Sequence, residues 1–302
     1  MIDRIVEIAN PAVLSVSHDQ LVIEMMEPAA PVSTPLSELA AVLISHQRVS
    51  MTQAVLTRIA LNGGIVITID DKFLPASMLL PVQAHYVQSE RFAKQTQMPT
   101  PLRKRLWKKI IQSKIRAQGL LLRELHGDDG GLVPMSARVQ SGDKGNLEST
   151  AARRYWPLVF GNSKFRRGGM GPDQNRHLDY GYTVLRALTA RALCAAGLHP
   201  SIGIWHENRY DAFSLAADVM EPFRPVVDRR VFEWIQENPA DGPLDRSTRR
   251  WLLGIVTDRY LHNEEQRTLS DLLARTADGL ARAICGEEER FSPPDHLSPC
   301  EE

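Results

Sequence analysis

The chain has 302 residues, 43% of them hydrophobic, and its 36 Lys and Arg residues balance 36 Asp and Glu residues. This length suggests two domains, and its three cysteines form no CxxC pair, which argues against a zinc ribbon or a disulfide framework. The opening MIDRIVEIAN is too charged for a signal peptide, and no apolar run approaches the roughly 20 residues that span a bilayer, so we expect a cytoplasmic protein without a membrane partner.

Residues 1–82 have the pattern of a β-rich domain. Short runs rich in Val and Ile, among them DRIVEIA, AVLSVSHDQLVIEM, AVLIS and IVITID, are separated by Pro, Asn, Gly and Asp. The SHDQ segment lies between two alternating runs and predicts a hairpin turn. One helix is predicted at about residues 50–61, where a polar start and a Gly-Gly stop flank apolar residues at helical spacing.

Residues 83–284 have helical periodicity and no clear strand signal, which predicts a separate all-α domain. Its longest helix begins at Thr100-Pro101 and carries an apolar stripe that includes Leu106, Ile110 and Ile115. Further helices are predicted in NLESTAARRYWPLVF, LDYGYTVLRALTARALCAAG, DAFSLAADVMEP, VVDRRVFEWIQE, STRRWLLGIVTDRYL and LSDLLARTADGLARAICG. Residues 285–302 are acidic and contain Pro and Ser, which is typical of a disordered tail.

The balanced net charge hides two basic blocks. Residues 86–120 contain nine Lys and Arg residues and one acid, and residues 149–172 contain five Lys and Arg residues and no acid. Such blocks are typical of proteins that bind a phosphate backbone, although a solvated helix face has the same composition. The candidates in these blocks are Lys108, Lys109, Arg153, Arg154, Arg166 and Arg167.

The stretch IGIWHENRYDAFSLAADVMEPFRP combines an apolar helix face with His206, Asp218 and Glu221. In one continuous helix, His206 and Glu221 would lie roughly 22 Å apart, too far to share a ligand. If the helix instead starts near Asp211, the HENRYD segment can fold back, since it reaches at most about 17 Å. His206 would then approach Asp218 and Glu221, which lie three residues apart on one helical face.

A further carboxylate is predicted in the first turn of another helix, where Asn146 has the position of an N-cap and Glu148 follows it. An acid there also simply favours the helix dipole. Taken together, the carboxylates and one imidazole suit a divalent cation that must meet a phosphate. Carboxylate oxygens favour Mg or Mn, and one imidazole shifts the balance toward Mn.

Four segments are informative together, in this order: ITIDDKFLPASMLLPVQAH, LRKRLWKKIIQSKIRAQGLLL, GDKGNLESTAARRYWPLVFG and the stretch from LDYGY to MEPFRPVVD. They resemble the CRISPR-associated Cas1 integrases, which insert new spacers together with a small partner, Cas2. The ordered pattern Glu…YGY…GLxP…H…AxDxMEPFRP covers most of the chain. The second segment is similar to the helix found in members from type II CRISPR systems.

The resemblance implies that Glu148, His206 and Glu221 are the catalytic residues and the ligands of a Mg or Mn ion, with Asp218 as a further candidate ligand. It also places Arg224 at a position that contacts DNA. The sequence departs from the family pattern at Glu221, where many relatives have Asp, so the denticity of this ligand stays open.

The implied fold class is α+β, with an N-terminal β-sandwich-like dimerisation domain followed by an all-α catalytic domain. The implied activity joins protospacer 3′-hydroxyl ends into the repeat array by transesterification. The implied partners are double-stranded DNA of the protospacer and the CRISPR repeat, a second copy of the chain, and a Cas2 dimer that completes a heterohexamer. Other adaptation proteins of type II systems are further candidates.

Two alternatives stay open. The first is a stand-alone metal-dependent nuclease that acts on branched or single-stranded DNA with water as the nucleophile. The second is a non-catalytic nucleic-acid scaffold whose acids pair with arginines. Blocked 3′ ends distinguish integration from hydrolysis, and replacement of the acids by Ala tests the scaffold.

Overall fold

The computed structural model describes residues 4–26, 30–70, 75–81, 85–168, 173–206, 211–288 and 290–300. The chain divides into two compact units, Met1–Gln88 and Ser89–Glu302. The sequence predicts a boundary after residue 82, and the first helix beyond that point begins at Gln88. Among the described residues, no helix is both long and apolar enough to cross a membrane.

The N-terminal unit is built from short strands around one helix. Its elements are β1 (Arg4–Ile8), β2 (Ala12–Ser17), β3 (Gln20–Met25), β4 (Val32–Pro35), β5 (Leu39–Ile44), β6 (Val49–Met51), α1 (Gln53–Leu61), β7 (Ile65–Ile69) and β8 (Pro75–Leu79). They form two four-stranded sheets, in the orders β1-β5-β7-β8 and β4-β3-β2-β6. The predicted SHDQ turn is confirmed: His18 and Asp19 both have positive φ and join β2 to β3, as a two-residue hairpin requires.

Both sheets bury side chains in one shared core. Strand β5, LAAVLI, is buried at every residue and pairs in parallel with β1 and β7. Leu14 and Leu21 from the other sheet and Val55 and Ile59 from α1 complete the same cluster. The mixed α+β fold with a sandwich-like N-terminal domain is therefore confirmed.

The C-terminal unit consists mainly of helices. They are α2 (Gln88–Thr96), α3 (Thr100–His126), α4 (Leu132–Ala137), α5 (Leu147–Val159), α6 (Asn175–Ala195), α7 (Ser214–Val219), α8 (Arg224–Glu237), α9 (Arg246–Thr257) and α10 (Leu269–Cys285). Helix α3 packs against α4, α5, α8 and a 3-10 turn at Glu221–Phe223, and α6 packs against α7 to α10. These two long helices hold the elements that carry the candidate site.

The expectation of an all-α catalytic domain is wrong in one place. Strands β9 (Arg259–His262), β10 (Glu265–Thr268) and β11 (Ser298–Pro299) form a small sheet in the order β10-β9-β11. The helix predicted to run through DRYL ends at Thr257, because Asp258 is extended. Asn263 and Glu264 then take positive φ and turn the chain into a hairpin, which helical periodicity does not reveal.

The expected disordered tail is also corrected, because residues 290–300 pack on the helical unit. Phe291 is buried, the Ser113 hydroxyl donates to the carbonyl of Pro293 at 3.1 Å, and the guanidinium of Arg116 pairs with Asp295 at 2.9 Å. Strand β11 continues the small sheet by pairing with β9. An acidic composition was misleading here because a few apolar residues and one strand pairing are enough to anchor the segment.

Candidate metal and DNA site

Glu148 lies in the first turn of α5, as predicted, but a different residue caps that helix. Asn146 has the N-cap position with positive φ and makes no side-chain cap bond. The carboxylate of Asp143 instead accepts hydrogen bonds from the backbone N–H groups of Leu147 at 2.9 Å and Glu148 at 3.0 Å. This cap satisfies two of the free N–H groups at the helix start and fixes the backbone from which Glu148 projects.

The chain before α7 folds back and brings His206 to Asp218, as the reach argument predicted. The His206 Nδ1 atom lies 2.5 Å from Asp218 Oδ1, and the other oxygen of Asp218 accepts from the backbone N–H groups of Ile204 at 2.7 Å and Trp205 at 2.9 Å. Both oxygens of the fully buried Asp218 are therefore engaged within the protein.

A glycine makes this tight turn possible. A Cβ on Gly203 would lie 2.5 Å from the backbone oxygen of His206, closer than real contacts allow. The ring of Trp107 in α3 packs against the ring of His206 at right angles, with the two centroids 5.2 Å apart. Residues 207–210 of the HENRYD segment lie outside the described residues, and α7 begins only at Ser214, not near Asp211 as predicted.

Lys114 of α3 stands between the two candidate metal glutamates. Its Nζ atom lies 2.7 Å from Glu148 Oε1 and 2.6 Å from Glu221 Oε2, and its side chain is only 11% exposed. Arg224 Nε pairs with the other oxygen of Glu221 at 2.9 Å. The carboxylates of Glu148 and Glu221 thus converge on one cation from two different elements of the fold.

A hydrogen-bonded network of buried tyrosines supports Arg224. Its guanidinium lies over the ring of Tyr182, 4.4 Å from the centroid. The Tyr182 hydroxyl donates to Asp228 Oδ1, and the Tyr155 hydroxyl donates to Asp228 Oδ2 at 2.7 Å. Tyr155 belongs to α5, the helix of Glu148, and Asp228 belongs to α8, the helix that follows Glu221. The network therefore links the two helices that position these glutamates. We call Lys114, Glu148, Glu221, Arg224 and Asp228 the buried charge cluster.

The surroundings of Glu221, His206 and Asp228 shift the pKa values of these three side chains. Burial alone would raise the pKa of Glu221, but Arg224 and Lys114 beside it lower that pKa to about 2. The hydrogen bond to Asp218 raises the pKa of His206, with further contributions from the charges of Glu148 and Glu221, although burial opposes them. Burial raises the pKa of Asp228 to about 6, against the hydrogen bonds of its two tyrosines.

We tested whether these residues fit a divalent cation. As they are placed, no three carboxylate, imidazole or thiol side chains of the described residues stand close enough together to hold a metal ion. The ammonium of Lys114 fills the space between Glu148 and Glu221. The donor set nevertheless fits, because two carboxylates already share one cation and Asp218 holds His206 by Nδ1, the usual way in which a carboxylate orients a metal-binding imidazole.

The predicted DNA-binding residues fall into two groups. Arg224 and Arg167 are partly buried and paired, the latter with Asp179 at 2.5 Å, and both lie against the ring of Tyr182. The others form no ion pair within the described part of the chain: Lys108, Lys109, Arg153, Arg154 and Arg166. Of these, Lys108 is half-buried and the remaining four are exposed.

Sequence reasoning missed Lys114, Tyr182 and Asp228. In the sequence, Lys114 is one of the nine Lys and Arg residues of the first basic block. Its spacing from Trp107, Ile110 and Ile111, however, places it on the buried face. No local pattern could reveal the Asp228 network, because its partners are 46 and 73 residues away in the chain.

Comparison with known proteins gives one consistent result. Residues 7–245 match the family model described as CRISPR associated protein Cas1. The CRISPR-associated endonuclease Cas1 of Neisseria meningitidis is 32% identical over 269 residues, which covers 88% of this chain and 86% of the relative.

Two solved structures show the same fold at lower sequence identity. A casposase bound to an integration product has a TM-score of 0.77 at 19% identity, with 96% of this chain and 92% of that chain covered. A chain of a Cas6-RT-Cas1–Cas2 complex has a TM-score of 0.76 at 20% identity, with 98% of this chain and 36% of the longer chain covered.

Proposed function

The chain belongs to the family of CRISPR-associated Cas1 proteins, and we propose that it is a metal-dependent DNA endonuclease and integrase of CRISPR adaptation. The observation that carries the proposal is the arrangement of Glu148 and Glu221 around one cation, beside a histidine oriented by a buried carboxylate. An arrangement of this kind suits phosphodiester chemistry, in which a cation must meet phosphate oxygens.

Glu148, Glu221 and His206 Nε2 would hold a Mg or Mn ion. When bound, the ion supplies Lewis-acid polarisation of the phosphoryl oxygen and stabilises the attacking and leaving oxygens. Asp218 acts as the orienting group and not as a ligand, since its oxygens bind His206 and two backbone N–H groups. The single imidazole favours Mn over Mg compared with an all-oxygen site.

The reaction that fits is transesterification. The 3′-hydroxyl of a protospacer strand attacks a phosphodiester at the repeat border, a new P–O bond forms, and the bond to the old 3′ oxygen breaks. The proton lost by the attacking hydroxyl is balanced by the proton gained by the leaving 3′ oxygen, so no external energy source is required. Arg224, whose guanidinium lies over the ring of Tyr182, would balance charge on the reacting phosphate.

We propose double-stranded DNA, a second copy of the chain and a Cas2 dimer as partners, in a heterohexamer. The fold likeness to the Cas1-containing chain of a Cas1–Cas2 complex supports the Cas2 partnership. The exposed Lys109, Arg153, Arg154 and Arg166 form no ion pair in the described part of the chain, and we propose that they follow the DNA backbone. Adaptation proteins of type II systems are further candidate partners.

The test uses the purified chain with Mn²⁺, with and without Cas2, and labelled DNA duplexes that carry either free or dideoxy-blocked 3′ ends. A supercoiled plasmid with a CRISPR repeat serves as the target. We expect strand joining only with free 3′ ends, and loss of joining in EDTA and in the His206→Ala variant. Cleavage that is indifferent to 3′ blocking would instead establish the stand-alone nuclease.

The scaffold alternative is tested on the same substrates with Glu148→Gln. Glu148 is the better choice than Glu221 because its side chain is 25% exposed, whereas that of Glu221 is 7% exposed and balances two buried cations. If joining and cleavage persist unchanged in both Glu148→Gln and His206→Ala, the acids only pair with cations and the catalytic proposal is wrong.

A further inference from the structure

Lys114 is an unusual residue to find at the centre of this site. It lies in the middle of α3 with its side chain 11% exposed, and its ammonium contacts one oxygen each of Glu148 and Glu221. Burying an ammonium is costly unless it is paired, and here it meets two carboxylates.

The position of the ammonium is that of a cation shared by two carboxylates. Its distances of 2.7 Å and 2.6 Å to the glutamate oxygens are hydrogen-bonding distances, somewhat longer than the roughly 2.0 to 2.2 Å of Mg–oxygen bonds. A divalent ion that used both Glu148 and Glu221 would therefore stand where the Lys114 nitrogen now lies. The divalent ion and the Lys114 ammonium cannot occupy this position together, because they would overlap and because both are positively charged.

Arg224 cannot take over this role. Its guanidinium is fixed between Tyr182 and the other oxygen of Glu221, and no contact joins it to Glu148 among the described residues. Lys114, by contrast, carries its charge on a flexible four-carbon stem, which can swing without movement of the helix.

We propose that Lys114 is a built-in counter-ion that holds Glu148 and Glu221 together before metal binds and is displaced when the divalent ion enters. The residue thereby weakens metal binding while it stabilises the metal-free site. This inference rests on the proposed metal-dependent function. Loss of a residue that supports the site would weaken metal binding, whereas loss of Lys114 is expected to strengthen it.

The experiment measures Mn²⁺ binding to the full-length chain by electron paramagnetic resonance of the free ion, together with thermal unfolding with and without Mn²⁺. Lys114→Met removes the charge and keeps the length of the side chain, and Lys114→Arg keeps the charge. Lys114→Gln replaces Lys114→Met if the latter does not fold. Lys109→Met is the matched control for metal binding, because Lys109 lies on the same helix and is exposed.

For Lys114→Met we expect Mn²⁺ to bind tighter by about tenfold, since a unit charge a few ångströms from the ion is removed at intermediate dielectric. The metal-free variant melts at a lower temperature than wild type, and Mn²⁺ raises its melting temperature by more. Lys114→Arg and Lys109→Met keep the wild-type affinity. This pattern cannot come from structural damage, which would loosen the site.

Two results would overturn the inference, and they are distinguishable. Equal or weaker Mn²⁺ binding by Lys114→Met, with saturable binding by wild type that Glu148→Gln abolishes, shows that the metal site is real and that Lys114 supports it. Absence of saturable Mn²⁺ binding in wild type and in both uncharged Lys114 variants removes the metal centre itself, and with it both the proposed function and the counter-ion.

Discussion

The C-terminal unit uses positive charge in two different ways. In the buried charge cluster, Lys114 and Arg224 each pair with carboxylates within 3 Å, and their side chains are 11% and 25% exposed. On the surface, the hydrogen bonds of Arg153, Arg154 and Arg166 within the described part of the chain go to nearby hydroxyl or carbonyl oxygens. The difference indicates that the buried cations organise carboxylates, whereas the surface cations keep their charge available for a partner. Substitutions in the two groups should therefore have different consequences.

The largest effect on stability is expected from Glu221→Gln. This change leaves Lys114 and Arg224 in a buried site with one negative charge fewer, and breaking a buried pair in this way costs about 3–5 kcal/mol of unfolding free energy. Urea denaturation of the metal-free protein measures it. Glu148→Gln is the comparison, since its more exposed carboxylate leaves Lys114 still paired with Glu221, and we expect a cost of about 1 kcal/mol. Equal costs would mean that burial does not distinguish the two glutamates.

The sequence predicts those parts of this cluster whose residues are close together in the chain. Glu148, His206 and Glu221 were predicted because each lies in a recognisable local pattern, and the approach of His206 to Asp218 follows from the reach of a short segment. Lys114 looked like one more member of a basic block, because the composition of the block concealed its position on the buried face. The Asp228 network joins three helices and has no local signature.

The fold shows the same division. Strand β5 and the SHDQ hairpin were predictable, since continuous apolar character and turn residues are local signals. The small sheet was not, because β11 pairs with β9 across a long stretch of chain and is only two residues long. The tail was misjudged for a similar reason: its acids dominate the composition, but Phe291 and a few backbone contacts decide where it lies.

The second effect concerns the pH dependence of stability through Asp228. Because burial raises its pKa from 3.8 to about 6, the folded state binds more protons than the unfolded state between these values. The stability that this group contributes is thus present at low pH and is lost as the pH rises through about 6, by at most about 3 kcal/mol at 1.36 kcal/mol per pKa unit.

Asp228→Asn removes this titration and keeps the shape of the side chain. We therefore expect the stability cost of the substitution to be largest near pH 4 and to shrink as the pH rises to 7, measured by urea denaturation across that range. A cost that is independent of pH would show that Asp228 is charged throughout and that its tyrosines and Arg224 outweigh burial.

A smaller effect is expected from Asp218→Asn, on metal binding. Loss of the carboxylate that orients His206 should weaken Mn²⁺ binding by roughly 10- to 100-fold near pH 8. The same change removes the main cause of the raised His206 pKa, so the pH below which protons displace the metal should move downward. Mn²⁺ titrations at several pH values measure both quantities. If Mn²⁺ binds more weakly but the pH at which protons displace it does not change, Asp218 positions the backbone of Ile204 and Trp205 and does not act on the imidazole.

The smallest effect on the protein itself is expected from the exposed arginines. Arg154→Ala removes one hydrogen bond to the carbonyl of Gly130 and should change the free energy of unfolding by no more than about 0.5 kcal/mol. If Arg154 contacts a phosphate, the slope of log affinity for duplex DNA against log salt should fall by about 1. Arg282→Ala is the control, because Arg282 is an exposed arginine that already faces two carboxylates, Asp278 and Glu288. An equal change of slope in the control would mean that the surface cations act through total charge, and no change in Arg154→Ala would place the DNA path elsewhere. A lower slope in Arg154→Ala alone, with unchanged stability, would establish that the unpaired surface cations bind the nucleic acid, whereas the buried cations pair with the carboxylates of the site.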